Sequence, residues 1–198
     1  MRRGVLPERL PPNMPQFAPH AGRRIARGFL RLAGWKLVGE FPDVAKLVLI
    51  VAPHSSWWDG FWGLMFKAAL GADLSFMAKR EVFDGLLGPL LRRLGGVPVD
   101  RAAAHGAVMQ MAERLRHDER FWLCITPEGT RKQVAQWKTG FWRIARAANV
   151  PILPVWFDYP DRTVGIGALM QPGSDLDADI ARLRAFYAPR RGRHHGVD

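Results

Sequence analysis

The sequence contains little of what marks a secreted or membrane-spanning protein. Its single cysteine, Cys124, excludes an intramolecular disulfide and is typical of a reducing compartment. No run of about 18 apolar residues is present, so we expect no segment that crosses a bilayer as a helix. The N-terminus lacks the apolar stretch of a signal peptide. Together these absences predict a protein of the cytosol, or a peripheral protein on the cytoplasmic face of a membrane.

Acidic residues are also scarce, because 18 Asp and Glu side chains stand against 29 Lys and Arg, which leaves a net charge of +11. The excess lies at the two ends of the chain. Residues 1–36 hold eight basic side chains and one acidic one, and residues 189–198 hold three and one. A nucleic-acid-binding domain usually carries its positive charge on the folded body. A nearly neutral body with basic ends instead predicts an anionic membrane surface as partner, and no nucleic acid.

The N-terminal region predicts a helix with two different faces. After a proline-rich arm, residues 22–36 place apolar side chains such as Ile25 and Phe29 on one side. Arginines such as Arg23 and Arg27 fall on the other side at about 100° per residue. Such an amphipathic helix is typical of a membrane surface, where its arginines meet anionic lipid. The alternative is an ordinary helix that packs on the core and exposes a basic face.

The remaining sequence alternates between strand and helix patterns. Its two longest apolar strand segments, 46–52 and 121–126, do not alternate with polar residues, as expected of strands covered by helices on both faces. We therefore predict an α/β fold, a layered mixed sheet flanked by helices. The predicted organisation is an arm and amphipathic helix at 1–36, one folded domain at 37–188 and a basic disordered tail at 189–198. The predicted strands are 35–40, 46–52, 74–78, 96–99, 121–126, 152–157 and 163–168, and the predicted helices are 57–70, 84–94, 103–117, 138–148 and 175–187.

The first candidate site follows the apolar strand at 46–52. His54 and Asp59 are five positions apart, and a turn from strand into helix can bring such a pair together. A carboxylate on one imidazole nitrogen fixes the tautomer and leaves the other nitrogen free as a base, with the substrate's hydroxyl in place of a triad serine. The same residues allow a structural interpretation, because Ser56-x-x-Asp59 also fits a helix capping box. Both interpretations can hold at once.

Further blocks follow this pair in order, and each comes at or after a predicted strand. The segment 77–81 contains Lys79, and a glycine-led strand at 95–101 ends in Arg101. A Pro-Glu-Gly-Thr-Arg loop occupies 127–131, and an apolar Val-Pro-Ile-Leu-Pro-Val strand occupies 150–155. With these motifs the sequence resembles the glycerophospholipid acyltransferase family, of the lysophosphatidic acid acyltransferase type, over residues 46–157. A His-x4-Asp spacing is common by itself, whereas the Pro-Glu-Gly-Thr-Arg loop behind it is specific.

The resemblance implies a role for each matched residue. His54 would be the general base that takes the proton from the acceptor hydroxyl, and Asp59 would orient it. Arg101 and Arg131 would hold the acceptor's phosphate, a task that suits a planar guanidinium group because it pairs with two phosphate oxygens at once. An exposed charge with no ligand is the alternative for each arginine and for the lysine of the set. The implied substrate-binding set is Lys79, Arg101, Glu128, Gly129, Thr130 and Arg131.

The implied reaction moves a fatty acyl group from acyl-CoA or acyl-carrier protein onto the free hydroxyl of a lysophospholipid, with 1-acylglycerol-3-phosphate as the first candidate. No cofactor is expected, because a thioester is already an activated acyl donor. No metal is expected either, because no His, Cys and carboxylate residues have metal-ligand spacing. Cys124 lies in an apolar strand and is expected to be inert rather than an acyl carrier.

Two positions depart from the family pattern. Pro53 precedes His54 where many members have Asn, and Lys132 follows the Pro-Glu-Gly-Thr-Arg loop where Ser is common. Neither departure replaces the base or its carboxylate, so acyl transfer remains the expectation. Both lie near the acceptor pocket, which leaves a non-glycerol acceptor such as a lyso-aminolipid open. A membrane-binding or nucleic-acid-binding module without catalysis is the alternative from a different class.

Overall fold

Strands and helices alternate along the chain in the computed structural model, which describes residues 6–18, 21–99 and 104–197. The strands are β1 (Lys36–Val38), β2 (Lys46–Ala52), β3 (Leu74–Lys79), β4 (Gly96–Val99), β5 (Phe121–Ile125), β6 (Ile152–Asp158) and β7 (Thr163–Ile166). The helices are α1 (Ala21–Leu32), α2 (Trp57–Leu70), α3 (Arg80–Phe83), α4 (Gly88–Arg93), α5 (Ala104–His117), α6 (Gly140–Ala148) and α7 (Leu176–Tyr187). The predicted α/β class is confirmed, and every predicted strand is present.

Two predicted helices differ from the observed ones for local reasons. The helix predicted at 84–94 is shorter, because only α4 falls in that range, and a separate short helix, α3, precedes it. A Cβ added to Gly88 would lie 1.9 Å from the carbonyl oxygen of Phe83, so the chain turns back closely between them. The helix predicted at 22–36 ends at Leu32. Gly34 then adopts a left-handed conformation with φ of 74°, which ends the helix and lets β1 begin at Lys36.

The strands form one mixed sheet in the order β1-β7-β6-β2-β5-β3-β4. All neighbours are parallel except β6 and β7, which run antiparallel. β2 lies in the middle, between β5 and β6, so the segments that follow these three parallel strands meet at one edge of the sheet. Such an edge is where open α/β sheets bind their ligands.

Helices cover the sheet on both faces, and β2 shows how its side chains divide between them. Leu47 and Leu49 lie in one buried apolar cluster with residues of α1 and α2. Val48 and Ile50 lie in a second cluster with residues of α5, α6 and α7. Strand side chains alternate between faces, so a strand buried on both needs an uninterrupted apolar run. The layered architecture predicted from that run is therefore confirmed.

α1 packs on the fold through two residues and also binds the proline-rich arm. Its buried residues are Ala26 and Leu30, whereas Ile25 is 75% and Leu32 is 90% exposed. Arg27 donates hydrogen bonds of 2.7 and 2.9 Å to backbone carbonyls in the proline-rich arm, and Arg23 also donates to that arm. Two of the four arginines therefore hold the arm in place instead of facing lipid, while apolar side chains face outward. Within the described ranges, no helix combines the length and hydropathy needed to cross a bilayer.

Candidate active site

His54 and Asp59 lie where β2 gives way to α2, and the structure brings their side chains together. Nδ1 of His54 is 3.1 Å from Oδ2 of Asp59. The predicted capping box is also present, because Ser56 caps α2 and its backbone N–H donates to the same Oδ2 atom at 2.8 Å. The Asp59 carboxylate thus completes the capping box at the start of α2 and also faces the imidazole of His54. The two interpretations of the motif describe one geometry.

The environment of Asp59 favours its ionised form. The residue is only 3% exposed, and the backbone N–H of Ser55 donates a second 2.8 Å bond to Oδ2. Burial acts to raise the pKa of Asp59, but its contacts with His54, Tyr159 and the backbone of Ser56 outweigh burial and lower the pKa. The carboxylate therefore stays charged at neutral pH and can stabilise a positive imidazolium.

The imidazole of His54 presents only part of its ring to solvent. Its side chain is 21% exposed, whereas Nδ1 is buried against Asp59. A neutral ring whose Nδ1–H faces a carboxylate has Nε2 free to accept a proton. This is the arrangement that a general base requires.

Tyr159 is a member of this site that the sequence analysis missed. It follows β6 directly, and its hydroxyl donates a 2.5 Å hydrogen bond to Oδ1 of Asp59. Burial and this bond to Asp59 raise the pKa of the Tyr159 phenol, so the group remains a donor. The available signal was a tyrosine immediately after an apolar strand. Its relevance depends on β6 lying beside β2, which the sequence pattern did not specify.

The Pro-Glu-Gly-Thr-Arg loop follows β5, the other neighbour of β2, and contacts the backbone of His54. Glu128 is 3% exposed, and its Oε2 accepts a 2.6 Å hydrogen bond from the backbone N–H of His54. Burial raises the pKa of Glu128 to about 7. Gly129 adopts a left-handed conformation with φ of 63°. Glu128 therefore supports residues 53–56, here named the histidine loop, through the backbone of His54.

The remaining members of the predicted substrate-binding set lie at different distances from the pair. The Arg131 guanidinium stacks 3.6 Å from the ring centroid of Trp57, the first residue of α2, so it lies beside the histidine loop. The Thr130 hydroxyl accepts a hydrogen bond from the backbone of Lys132 within the same turn. Lys79 is the last residue of β3, two strands from β2. Arg101 lies outside the described residues.

The end of the chain also takes part in this region, which differs from the predicted disorder of residues 189–198. Residues 190–197, here named the C-terminal loop, fold back against the histidine loop. The backbone N–H of His194 donates to Oγ of Ser55 at 3.2 Å, and a ring nitrogen of His195 lies 3.1 Å from the carbonyl oxygen of Arg131. The prediction rested on charge alone, whereas Val197 is buried and the Arg190 guanidinium stacks on Trp156 at 4.1 Å.

The Cys124 thiol and the metal-binding types of side chain complete the set of candidate groups. Burial raises the pKa of the Cys124 thiol to about 12, so the thiol stays protonated near neutral pH and is a poor nucleophile. In the part of the chain that the structure describes, no group of three His, Cys, Asp or Glu side chains is placed to hold a metal ion.

An imidazole–carboxylate pair therefore lies at one edge of a mixed α/β sheet, with Glu128 bonded to the backbone of His54 and Arg131 stacked on Trp57 beside it. The family model for acyltransferases matches residues 38–158, and the chain belongs to that family. The matched range includes the pair and the Pro-Glu-Gly-Thr-Arg loop. It ends one residue before Tyr159 and excludes the C-terminal loop.

Curated relatives agree with this family. The chain is 30% identical over 150 residues to a 1-acyl-sn-glycerol-3-phosphate acyltransferase of Streptococcus pneumoniae, covering 71% of this chain and 55% of that protein. It is 31% identical over 164 residues to a probable 1-acyl-sn-glycerol-3-phosphate acyltransferase of Mycoplasma pneumoniae, covering 76% of this chain and 58% of the other. The chain thus spans a little over half the length of these relatives.

A solved structure supports the fold. The crystal structure of the 1-acyl-sn-glycerophosphate acyltransferase from Thermotoga maritima superposes with a TM-score of 0.57 at 20% identity. The match covers 81% of this chain and 75% of the other. The layered mixed sheet described above is therefore the fold of that enzyme.

Proposed function

We propose that this protein transfers a fatty acyl group from acyl-CoA or acyl-carrier protein to the free hydroxyl of a lysophospholipid, with 1-acylglycerol-3-phosphate as the acceptor. The observation that carries the proposal is the contact between Nδ1 of His54 and Asp59, held by Ser55, Ser56 and Tyr159. Membership of the acyltransferase family and the activities of the curated relatives named above support the same reaction.

In the proposed reaction, Nε2 of His54 takes the proton from the acceptor hydroxyl as its oxygen attacks the thioester carbonyl. The buried carboxylate of Asp59 stabilises the imidazolium that forms. The tetrahedral intermediate then expels the donor's sulfur as a thiolate, which takes the proton from Nε2 and leaves as a thiol. The histidine returns to its neutral form, so the cycle needs no cofactor from the protein.

The acceptor's phosphate is assigned to Arg131. Its guanidinium lies flat over Trp57, beside the segment that carries His54. A stacked guanidinium keeps the N–H groups of its edge available for two phosphate oxygens.

The outward surface of α1 and α2 suits a lipid substrate. Ile25 and Leu32 on α1 are exposed, and Phe29 contacts Phe61 of α2 edge-to-face at a centroid distance of 6.1 Å. Exposed aromatic side chains of α2 continue this surface to Trp57, next to the histidine loop. We propose that this apolar surface rests on the membrane and receives the acceptor from it, because exposed apolar and aromatic side chains flanked by basic residues favour the lipid interface.

Turnover tests the function directly. Purified protein is incubated with acyl-CoA and a mixed pool of lyso-acceptors, with and without phosphate and including a lyso-aminolipid, and products are identified by mass spectrometry. We expect diacylglycerol-3-phosphate as the main product, and Arg131→Ala should raise the KM for the phosphate-bearing acceptor severalfold or more. Acylation of only phosphate-free acceptors, or an unchanged KM, would contradict the proposed acceptor.

The membrane contact has a separate test in the full-length chain. The double variant Ile25→Ser/Leu32→Ser should lose sedimentation with anionic phospholipid vesicles while its circular dichroism stays unchanged, because both side chains are exposed. Met109→Ser is the matched control, since Met109 is an exposed apolar residue on α5 at the other face of the sheet. Equal binding by the double variant and the control would remove the membrane role of α1.

A further inference from the structure

The C-terminal loop lies outside the range matched by the family model, yet it contacts the segments that carry the site. Gly192 packs so closely on the histidine loop that an added Cβ would lie 2.7 Å from Oγ of Ser55. The carbonyl of Arg191 accepts a 3.0 Å hydrogen bond from the backbone N–H of Tyr159. The loop is therefore anchored to both the histidine loop and the segment after β6.

This anchoring places Arg193 at the start of α2. Its guanidinium lies 5.2 Å from the ring centroid of Trp58, next in sequence to Trp57, over which Arg131 stacks. Arg193 is two residues before His195, so the Cα atoms of Arg193 and His195 are at most about 8 Å apart. The His195 ring in turn contacts the carbonyl oxygen of Arg131. The neighbours of Arg193, Gly192 and His194, both contact Ser55, the residue after His54, so the backbone of Arg193 lies close to the pair. The guanidinium groups of Arg131 and Arg193 therefore contact two successive tryptophans at the start of α2, in the segment that follows His54.

The contacts of these two arginines leave room for an anion. Among the described residues, neither guanidinium has a carboxylate within ion-pair distance. A guanidinium that stacks on an aromatic ring uses its flat face, and its N–H donors lie along the edge. Within the described part of the chain, Arg131 and Arg193 thus present positive charge without a carboxylate partner, together with planar donors, near the start of α2.

We propose that the side chain of Arg193 binds the acceptor's phosphate together with that of Arg131. This inference rests on the proposed function, in which the acceptor carries a phosphate. In 1-acylglycerol-3-phosphate the phosphate is only a few bonds from the attacking hydroxyl, which must reach His54. The phosphates of acyl-CoA are separated from the thioester by the whole pantetheine arm. The proximity of Arg193 to the pair therefore favours the acceptor's phosphate over the donor's.

The test compares two arginines of the same loop. Arg191→Ala removes the same charge two residues away, and its side chain makes none of the hydrogen bonds, ion pairs or ring contacts described for this part of the chain. Acylation kinetics are measured for Arg193→Ala, Arg193→Lys and Arg191→Ala with 1-acylglycerol-3-phosphate and with the neutral 1-acylglycerol. Binding of a soluble 1-hexanoyl-glycerol-3-phosphate is measured by calorimetry on the same proteins.

We expect Arg193→Ala to lower kcat/KM for the phosphate acceptor by about tenfold or more, mainly through KM, which is the order expected for one charged hydrogen bond. The neutral acceptor should change less than about twofold, Arg193→Lys should recover part of the loss, and Arg191→Ala should resemble the wild type. The soluble acceptor should bind Arg193→Ala more weakly by a similar factor.

Three results would overturn the inference. Equal losses with both acceptors would mean that Arg193 only holds the loop in place. An equal loss of kcat/KM in Arg191→Ala would mean that Arg193 acts only through the net positive charge of the loop. A change in KM for acyl-CoA alone would assign Arg193 to the donor. Failure of the proposed function looks different, because the wild type would then bind the soluble phosphate acceptor in an Arg193-dependent way without acylating it.

Discussion

Replacing Glu128 by Gln should make the stability of the protein less dependent on pH. Glu128 is buried beneath the histidine loop, where its carboxylate accepts from the backbone N–H of His54 at 2.6 Å. Glutamine keeps an oxygen that can accept this bond but does not ionise. The substitution therefore removes one titration while leaving the supporting hydrogen bond in place.

The size of the effect follows from the pKa of this carboxyl. Burial raises it from 4.5 to about 7, so the folded state binds the proton more tightly than the unfolded state does. Stability is then highest below the unfolded pKa and decreases as pH rises through the interval between the two values. The shift corresponds to roughly 3 kcal/mol lost across that interval. The free energy of unfolding of Glu128→Gln lacks this pH-dependent loss. The stability of the variant relative to the wild type should therefore increase as pH rises.

Urea unfolding followed by tryptophan fluorescence, at about pH 5 and about pH 8, measures this difference. The control is Glu119→Gln, an exposed carboxyl whose variant should track the wild type at every pH. A constant difference between Glu128→Gln and the wild type across this range would refute the reasoning, because the buried carboxyl would then titrate as it does in the unfolded chain.

Two further predictions concern other buried polar groups. Tyr159→Phe removes the hydrogen bond to Asp59 and should lower kcat severalfold. KM should change little, because the carboxylate keeps its backbone donors. Unchanged steady-state kinetics would mean that Tyr159 has no part in the reaction. Lys67 is 7% exposed and donates to the carbonyls of Leu74 and Leu94, so Lys67→Met should cost about 2 kcal/mol or more in urea unfolding. Lys46 is only half-buried and donates to one carbonyl, so Lys46→Met should cost less than about 1 kcal/mol. Equal losses in the two lysine variants would contradict the expected effect of burial.

Much of the fold could be predicted because the pattern of apolar residues is itself the cause of the structure. The run at 46–52 is uninterrupted because β2 is central and its alternate residues enter two different apolar clusters. The local relation of Ser56 to Asp59 was equally accessible, since a capping box depends only on neighbours in sequence. Features that depend on neighbours in sequence, such as a capping box or a buried strand, can therefore be predicted from the sequence.

The parts that could not be predicted depend on contacts between distant segments. Tyr159 reaches Asp59 across 100 positions, which requires knowing that β6 lies beside β2. The C-terminal loop was expected to be disordered because its charge was visible and its contacts with Ser55 and Tyr159 were not. For α1, the expected direction of the arginines ignored the carbonyls of the arm, which Arg27 binds. In each case the deciding partner is distant in sequence.

The central claim is that His54, held by Asp59, is the base for acyl transfer to a lipid hydroxyl. The most direct measurement is single-turnover acylation of 1-acylglycerol-3-phosphate by wild type and His54→Ala, with acceptor affinity measured in parallel. Loss of a general base should lower the rate by about a hundredfold to ten-thousandfold while acceptor affinity stays within a few fold. A His54→Ala variant that folds, binds the acceptor and still acylates it at a rate near that of the wild type would contradict the account.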